Sequence, residues 1–148
     1  MTSTQPLIPL LYWVQRAERE SHEVSSDSEA EALLREHLSP EIYVEVNKKL
    51  LNFEDYKALI LERRSKYIFL DFQFLNPVSV VSDEAGRAGT VGFGMKVRTM
   101  GKEDRKLYDT DIQVVWQVGW FPDSGNPAGG RRMITKVIGA LGEWTPLA

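Results

Sequence analysis

The chain has 148 residues, of which 43% are hydrophobic, and this fits one globular domain with one core. Its 18 lysines and arginines are outnumbered by 21 aspartates and glutamates, so the net charge of −3 argues against nucleic-acid binding. The absence of cysteine excludes disulfides, thiolate metal sites and a cysteine nucleophile, and two histidines are too few for a histidine-rich metal cluster.

The first apolar run, residues 7–14, lacks the basic flank of a signal peptide. It is also far shorter than the roughly 18 apolar residues that span a bilayer. We therefore expect it to begin a core helix of a cytoplasmic protein without a membrane segment. Pro9 suits the first turn of this helix, which is expected to continue to about Ser21.

Two more helices flank a short hairpin. Asp27 or Ser28 is expected to cap the second helix. The alternating pattern of residues 42–46 and the short run 49–51 predict two short strands. Asn52 is then placed to cap a third helix.

Four long strands account for the rest of the sequence. They are predicted at about residues 67–82, 89–100, 106–121 and 131–144, with turn-rich connections. Pro77 lies inside the first of them and predicts a bulge or bend, which helps a sheet to curl around a cavity. Three helices followed by a strand meander predict a single α+β domain over residues 1–148.

Three segments of the sequence resemble the nuclear transport factor 2-like superfamily, which includes SnoaL-like and ketosteroid isomerase-like proteins. They are residues 38–47 (LSPEIYVEVN), 51–56 (LNFEDY) and 132–137 (RMITKV). The resemblance extends over nearly the whole chain. It implies three N-terminal helices packed on a strongly curved, cone-like antiparallel sheet around a deep apolar pocket. The superfamily contains isomerases, cyclases, dehydratases and non-catalytic binding proteins, so the resemblance does not decide the function.

The isomerase-like members carry two acids that this sequence lacks. Their base stands at the end of the first short strand, where this sequence has Val46. A second acid stands on the third long strand, where this sequence has Trp116. A ketosteroid isomerase mechanism is therefore not expected, and those catalytic roles are not transferred.

Strand alternation predicts which side chains face the pocket. Leu70, and Val78 or Val80 after the bend, are placed on the inner face of the first long strand. The residues expected to contact a substrate are Phe72, Phe74, Phe93, Met95, Thr110 and Trp116 from the strands, and Arg35, Tyr12 and Tyr56 from the helices. Such apolar stripes are more often simple core packing, and in this fold part of that face would line a cavity.

Four polar residues are candidates for proton transfer. Tyr108 faces inward in this register, and His37 lies on the second helix with an unperturbed pKa of about 6.5. Asp109 and Asp111 face outward on a regular strand. A bulge would turn one of them inward, where apolar surroundings would raise its pKa. The structural alternatives are a tyrosine bonded to a neighbour, a half-buried histidine and two solvated carboxylates.

Two functions fit these observations. One is a cofactor-independent isomerase, cyclase or dehydratase that acts on a hydrophobic polycyclic, polyketide-like or terpenoid-like metabolite by acid–base catalysis. The other is a non-catalytic small-molecule-binding or protein-interaction module of the same fold. The resemblance also implies a homodimer joined through the outer sheet face, where Gly92 and Gly94 would permit close approach and Trp120 could contribute.

Overall fold

The computed structural model describes residues 7–147 and shows three helices packed on one face of a sheet. The helices are α1 (Leu10–Glu23), α2 (Asp27–His37) and α3 (Phe53–Lys66). The strands are β1 (Leu38–Val46), β2 (Lys49–Leu51), β3 (Tyr67–Val81), β4 (Gly89–Gly101), β5 (Leu107–Pro122), β6 (Gly130–Leu141) and β7 (Thr145–Pro146). This is the α+β architecture predicted from the sequence.

The sheet is an open, mixed one. Its strand order is β2-β1-β6-β5-β4-β3, and β7 pairs with β5. All neighbours are antiparallel except β1 and β6, which run parallel, with Val46 opposite Gly139. The antiparallel sheet expected from the sequence therefore has one parallel pair, which brings the carboxyl ends of β1 and β6 together.

The helix starts follow local capping chemistry. The backbone N–H of Glu29 donates to Ser26 Oγ at 3.1 Å, so the cap of α2 is Ser26, not Asp27 or Ser28 as predicted. The backbone N–H of Asp55 donates to Asn52 Oδ1 at 2.8 Å, which confirms Asn52 as the cap of α3.

The β1–β2 turn is tied to the end of β6. Asn47 and Lys48 have φ angles of 51° and 67°, as a tight hairpin turn requires. The Asn47 side chain donates to the carbonyl of Leu141 at 3.1 Å and accepts from its N–H at 2.8 Å. These two hydrogen bonds hold the end of β1 beside the end of β6.

Two irregularities shape β3. The register with β4 shifts between Leu75 and Val78, which confirms the bend predicted at Pro77. A second shift, between Phe69 and Asp71, was not predicted. It turns Leu70 outward, 47% exposed, so the inward placement of this residue was wrong.

The part of β3 beyond the bend also faces outward. Val78 and Val80 are 62% and 61% exposed, so their predicted place on the inner face was wrong. The bend carries this end of the strand away from the core that the helices cover. Within residues 7–147, no helix is long and apolar enough to cross a membrane.

Candidate functional site

The inner face of the sheet is packed almost solid beneath the helices. Trp116, 1% exposed, stacks on Phe93 with the ring centroids 4.3 Å apart, and Phe72 and Met95 belong to the same buried cluster. Among residues 7–147, these large side chains occupy the place of the deep open pocket expected from the resemblance. A cavity of about 30 Å³ remains, enough for a water molecule or two.

This cavity, the interior site, lies between α1 and α3 and the strands β1, β4, β5 and β6. Its polar walls are Glu18 from α1 and Tyr56 and Arg63 from α3. The other walls are apolar or backbone, contributed by Val46, Met95, Ile112, Val114, Trp116, Val137, Gly139, Ala140 and Leu141. The helices thus contribute the ionisable and hydrogen-bonding side chains, and the sheet contributes an apolar floor.

Glu18 lies on the face of α1 that packs on the sheet, and its side chain is 10% exposed. Burial disfavours the charged form and raises the pKa of this carboxyl group, while the nearby charge of Arg63 opposes the shift. The carboxyl oxygen Oε1 lies 3.8 Å from His22 Nδ1, beyond hydrogen-bond distance. Glu18 is therefore a carboxyl group suited to exchange a proton in an apolar cavity.

Tyr56 and Arg63 offer hydrogen-bond donors to the same space. Tyr56 is 6% exposed, and its burial and the charge of Glu18 raise the pKa of the phenol, so the hydroxyl keeps its proton. The Nε atom of Arg63 is buried without a hydrogen-bond partner among the described residues. A buried donor left unpaired is unfavourable by about 1–3 kcal/mol, so an oxygen placed there would be stabilised.

Arg64 holds α3 against the end of α1. Its guanidinium donates to the carbonyls of Ser21, His22 and Val24 at 3.2, 3.0 and 2.8 Å. Its Nε donates to Asp27 at 2.9 Å. This clamp positions the neighbouring Arg63 relative to the helix that carries Glu18.

His22 is buried next to this clamp, 5% exposed, with its ring 4.7 Å from that of Phe69. Burial, together with the charges of Arg63 and Arg64, lowers its pKa to about 3. The Nδ1–H donates to the carbonyl of Glu18 at 2.9 Å. His22 therefore stays neutral near pH 7 and acts as packing.

Val46 and Trp116 both line the interior site. These are the positions at which the resemblance places the two acids of isomerase-like members. Both are apolar here, so the carboxyl group of this cavity comes from Glu18 on α1 instead.

The structure does not bring Tyr108 or His37 into the interior site. The hydroxyl of Tyr108 donates to Asp104, and its ring meets that of Tyr67 edge-on. His37 lies edge-on against Trp13 at the other end of the molecule, with the ring centroids 5.4 Å apart. Burial lowers the pKa of His37. Catalytic roles for these two residues stay predictions.

Asp109 and Asp111 point away from the helices. β5 keeps regular register with β4 along its whole pairing, so no bulge turns either residue inward. Asp109 instead forms a two-point ion pair with Arg98, at 2.9 and 3.1 Å, which lowers the pKa of the carboxyl group. The inward placement considered for this pair is wrong in this structure.

The nine expected substrate contacts divide into three groups. Only Tyr56, Met95 and Trp116 line the interior site. Arg35 and Tyr12 are on the surface. The others are buried or half-buried core positions, namely Phe72, Phe74, Phe93 and Thr110.

Sequence reasoning missed Glu18 and Arg63. Glu18 follows Val14 by four residues, and Arg63 follows Ile60 by three, so each lies on the apolar face of its helix. An ionisable residue at helical spacing within an apolar stripe was the available signal. Within residues 7–147, no cluster of three or more acidic or histidine side chains could hold a metal ion.

A larger open groove lies on the opposite face of the sheet. This outer groove has a volume of about 870 Å³. Its walls include the exposed apolar side chains Val78, Val80, Val115 and Ile138. Gly92 opens into it, whereas Trp120 does not.

A scan of protein-family models finds no match to this sequence, and a search of curated proteins finds none either. Solved structures do share its fold. A conserved protein from Planctomyces limnophilus has a TM-score of 0.62 at 8% identity, over 92% of this chain and 94% of that one. An NTF2-like protein from Cytophaga hutchinsonii has a TM-score of 0.53 at 10% identity, over 95% and 100%.

A hexachlorocyclohexane dehydrochlorinase of the LinA type, from Novosphingobium barchaimii, has a TM-score of 0.52 at 15% identity, over 91% of this chain and 88% of that one. These likenesses show that the chain has the fold of the nuclear transport factor 2-like superfamily, as the three sequence segments predicted. It is a fold that at least one enzyme uses.

Proposed function

We propose that this protein is a cofactor-independent acid–base enzyme and that its chemistry takes place in the interior site. The observation that carries the proposal is the buried carboxyl group of Glu18, which shares an apolar cavity with two hydrogen-bond donors, Tyr56 and Arg63. A carboxyl group with a raised pKa exchanges protons more readily near neutral pH than an ordinary one. Donors fixed beside it can stabilise negative charge that develops on a substrate oxygen.

The reaction that fits this arrangement is proton transfer at a carbon next to a carbonyl group. Ionised Glu18 takes the proton, and the electron pair of the broken C–H bond moves to the carbonyl oxygen. Tyr56 and Arg63 hydrogen-bond the resulting enolate oxygen. In a conjugated dienolate, return of the proton to the γ-carbon gives a double-bond isomer. When the next carbon carries a hydroxyl group, the enolate expels this group, which takes the proton from Glu18 and leaves as water.

The size of the cavity bears on the substrate class. A space of about 30 Å³ admits a substrate only when side chains at its rim move. Leu141, Ile112 and Val46 are half-buried walls that can do so. Among hydrophobic substrates, the packing therefore favours small carbonyl compounds over the polycyclic metabolites considered from the sequence.

The test is carbon-bound hydrogen exchange in deuterium oxide, followed by NMR for a panel of small apolar ketones and β-hydroxy ketones. It detects proton abstraction without knowledge of the natural product. Glu18→Gln is expected to abolish the catalysed exchange and Tyr56→Phe to slow it by about tenfold to a hundredfold. Glu20→Gln is the matched control, because this glutamate lies on the same helix but is paired with Arg16 on the surface.

A Glu18→Gln protein that folds normally and still exchanges at the wild-type rate would refute the assignment. Equal losses in Glu18→Gln and Glu20→Gln would mean that the effect comes from the helix and not from the site. If the wild-type protein exchanges no compound of the panel faster than Glu18→Gln does, this reaction class is wrong.

We propose a second role for the outer groove, the joining of two copies of this chain. The exposed apolar side chains of the groove favour burial against a partner surface. Of the two glycines expected to permit close approach, Gly92 is open, whereas a Cβ at Gly94 would lie 2.7 Å from Gln113 Nε2. Sedimentation equilibrium should show a dimer that Val115→Lys converts into a folded monomer. A wild-type monomer at micromolar concentration would contradict this role and leave the groove to a different partner.

A further inference from the structure

A second open cleft lies where the N-terminal segment meets the β3–β4 turn. This N-terminal cleft has a volume of about 670 Å³, within the range of about 300–1,000 Å³ usual for small-molecule sites. Its walls come from residues 7–12, the end of β3, the turn at Gly86 and Arg87, and Trp120 and Arg132. It shares no lining residue with the interior site.

The charges that line the cleft are all positive. Arg87 and Arg132 line it, and no aspartate or glutamate among residues 7–147 does. The chain as a whole carries a net charge of −3, so this is a local reversal of sign. A cleft of one sign with apolar walls concentrates ligands of the opposite charge.

Arg132 is the unusual member of the pair. It is 6% exposed, and its guanidinium donates to the carbonyls of Ile8, Gly86 and Arg87 at 2.5, 2.9 and 2.8 Å. No carboxylate of the described residues lies within 4 Å of it, in contrast to the buried Arg64, which pairs with Asp27. Its guanidinium also lies over the ring of Trp13, 5.8 Å from the centroid, and the carboxylate of Asp83, more than 4 Å away, favours its charged form. A buried cation with no carboxylate in direct contact is stabilised further by an anion brought next to it.

Arg87 is a second cation that an anion in the cleft could contact. Its guanidinium lies over the ring of Trp120, 5.1 Å from the centroid, and this ring also walls the cleft. It is paired with Asp83 at 2.9 Å, but its side chain remains 41% exposed. Arg87 can therefore turn one of its remaining N–H groups toward a ligand without leaving its place.

We infer that the N-terminal cleft binds a small organic anion, with an apolar body against the N-terminal segment and Trp120 and an acidic group toward Arg132 and Arg87. The apolar walls account for the body of the ligand and the two arginines for its acidic head. This site is independent of the proton-transfer chemistry proposed above.

The experiment compares two fluorescent probes that differ only in charge. Anilinonaphthalene sulfonate carries the anionic group, and phenylnaphthylamine has the same rings without it. The sulfonate is expected to bind more tightly than the neutral probe. Arg132→Gln and Arg87→Gln should each weaken sulfonate binding by roughly tenfold and leave the neutral probe unchanged.

Arg35→Gln is the matched control, because Arg35 also lies over an aromatic ring, that of Phe53 at 5.5 Å, but on another part of the surface. It should change neither affinity. Arg87→Gln keeps the test valid if loss of Arg132 disturbs the fold. Equal affinities for the two probes, or sulfonate binding that is the same in wild type, Arg87→Gln and Arg132→Gln, would overturn the inference. So would an equal effect of Arg35→Gln.

Discussion

The ring of Trp116 stacks on that of Phe93 at 4.3 Å, with the two planes inclined by 27°. This contact determines how much open space remains beneath the helices. A smaller residue at either position would leave an open apolar pocket beneath the helices, whereas the pair fills this volume next to the small space beside Glu18.

Trp116→Ala is therefore expected to destabilise the protein by about 3–5 kcal/mol, through lost burial and the cavity that remains. Urea denaturation measures the change. Trp144→Ala is the control, because Trp144 is only half-buried and stacks on Tyr67 near the sheet end. Equal losses for the two variants would show that Trp116 is not the main filling residue.

The pH dependence of exchange should report Glu18. The carboxyl group must be ionised to act as the base, and burial raises its pKa above the ordinary 4.5. The exchange rate is thus expected to rise with pH through this raised pKa and then level off. A rate profile whose midpoint lies at or below pH 4.5, measured with Glu20→Gln in parallel, would contradict the role of Glu18 as the base.

The buried histidine should make the fold sensitive to acid. The pKa of His22 is lowered from 6.5 to about 3 in the folded state, so the unfolded chain binds the proton more readily. The free energy of unfolding is expected to fall as pH decreases below 6.5, by at most about 1.4 kcal/mol per pH unit down to about 3. Glu18 acts in the opposite direction, because protonation of a carboxyl group with a raised folded-state pKa favours the folded state.

The contribution of His22 is isolated by comparison with His22→Gln, which can still donate to the carbonyl of Glu18. Urea denaturation from pH 7 to pH 4 gives the unfolding free energy of both proteins. As pH falls, the unfolding free energy of wild type should decrease relative to that of the variant. A constant difference would mean that the pKa of His22 is not lowered in the folded protein.

Much of the fold could be predicted because strand alternation and capping are local. The Asn52 cap and the bend at Pro77 are decided by residues within a few positions. The shift between Phe69 and Asp71 was not predictable, since Leu70 is as apolar as the inward residues and only pairing with β4 reveals its direction. The short strand β7 after Gly142 was not predicted either, because only its pairing with β5 reveals it.

The site was harder to predict than the fold. That Trp116 faces inward follows from alternation, but whether it lines a pocket or fills one depends on how side chains from four strands and two helices share one volume. In isomerase-like members the acids stand on strands, at the positions that Val46 and Trp116 occupy here, so the strands were the place to look. Glu18 and Arg63 lie on two different helices, and only the folded chain brings them to one cavity.

Substitutions of the neighbouring residues Arg63 and Arg64 should separate an effect on activity from an effect on stability. Arg64→Met removes the donor of three backbone carbonyls at the end of α1, so we expect a loss of about 3 kcal/mol in the free energy of unfolding. Arg63→Met removes a buried Nε that has no partner among the described residues, so the free energy of unfolding should be unchanged or higher. The exchange rate of Arg63→Met should nevertheless fall by about a hundredfold, because a donor to the enolate oxygen is lost. Urea denaturation and deuterium exchange on the same two variants measure both quantities. Arg63→Met with full exchange activity, or with a stability loss as large as that of Arg64→Met, would assign Arg63 to packing and remove it from the site.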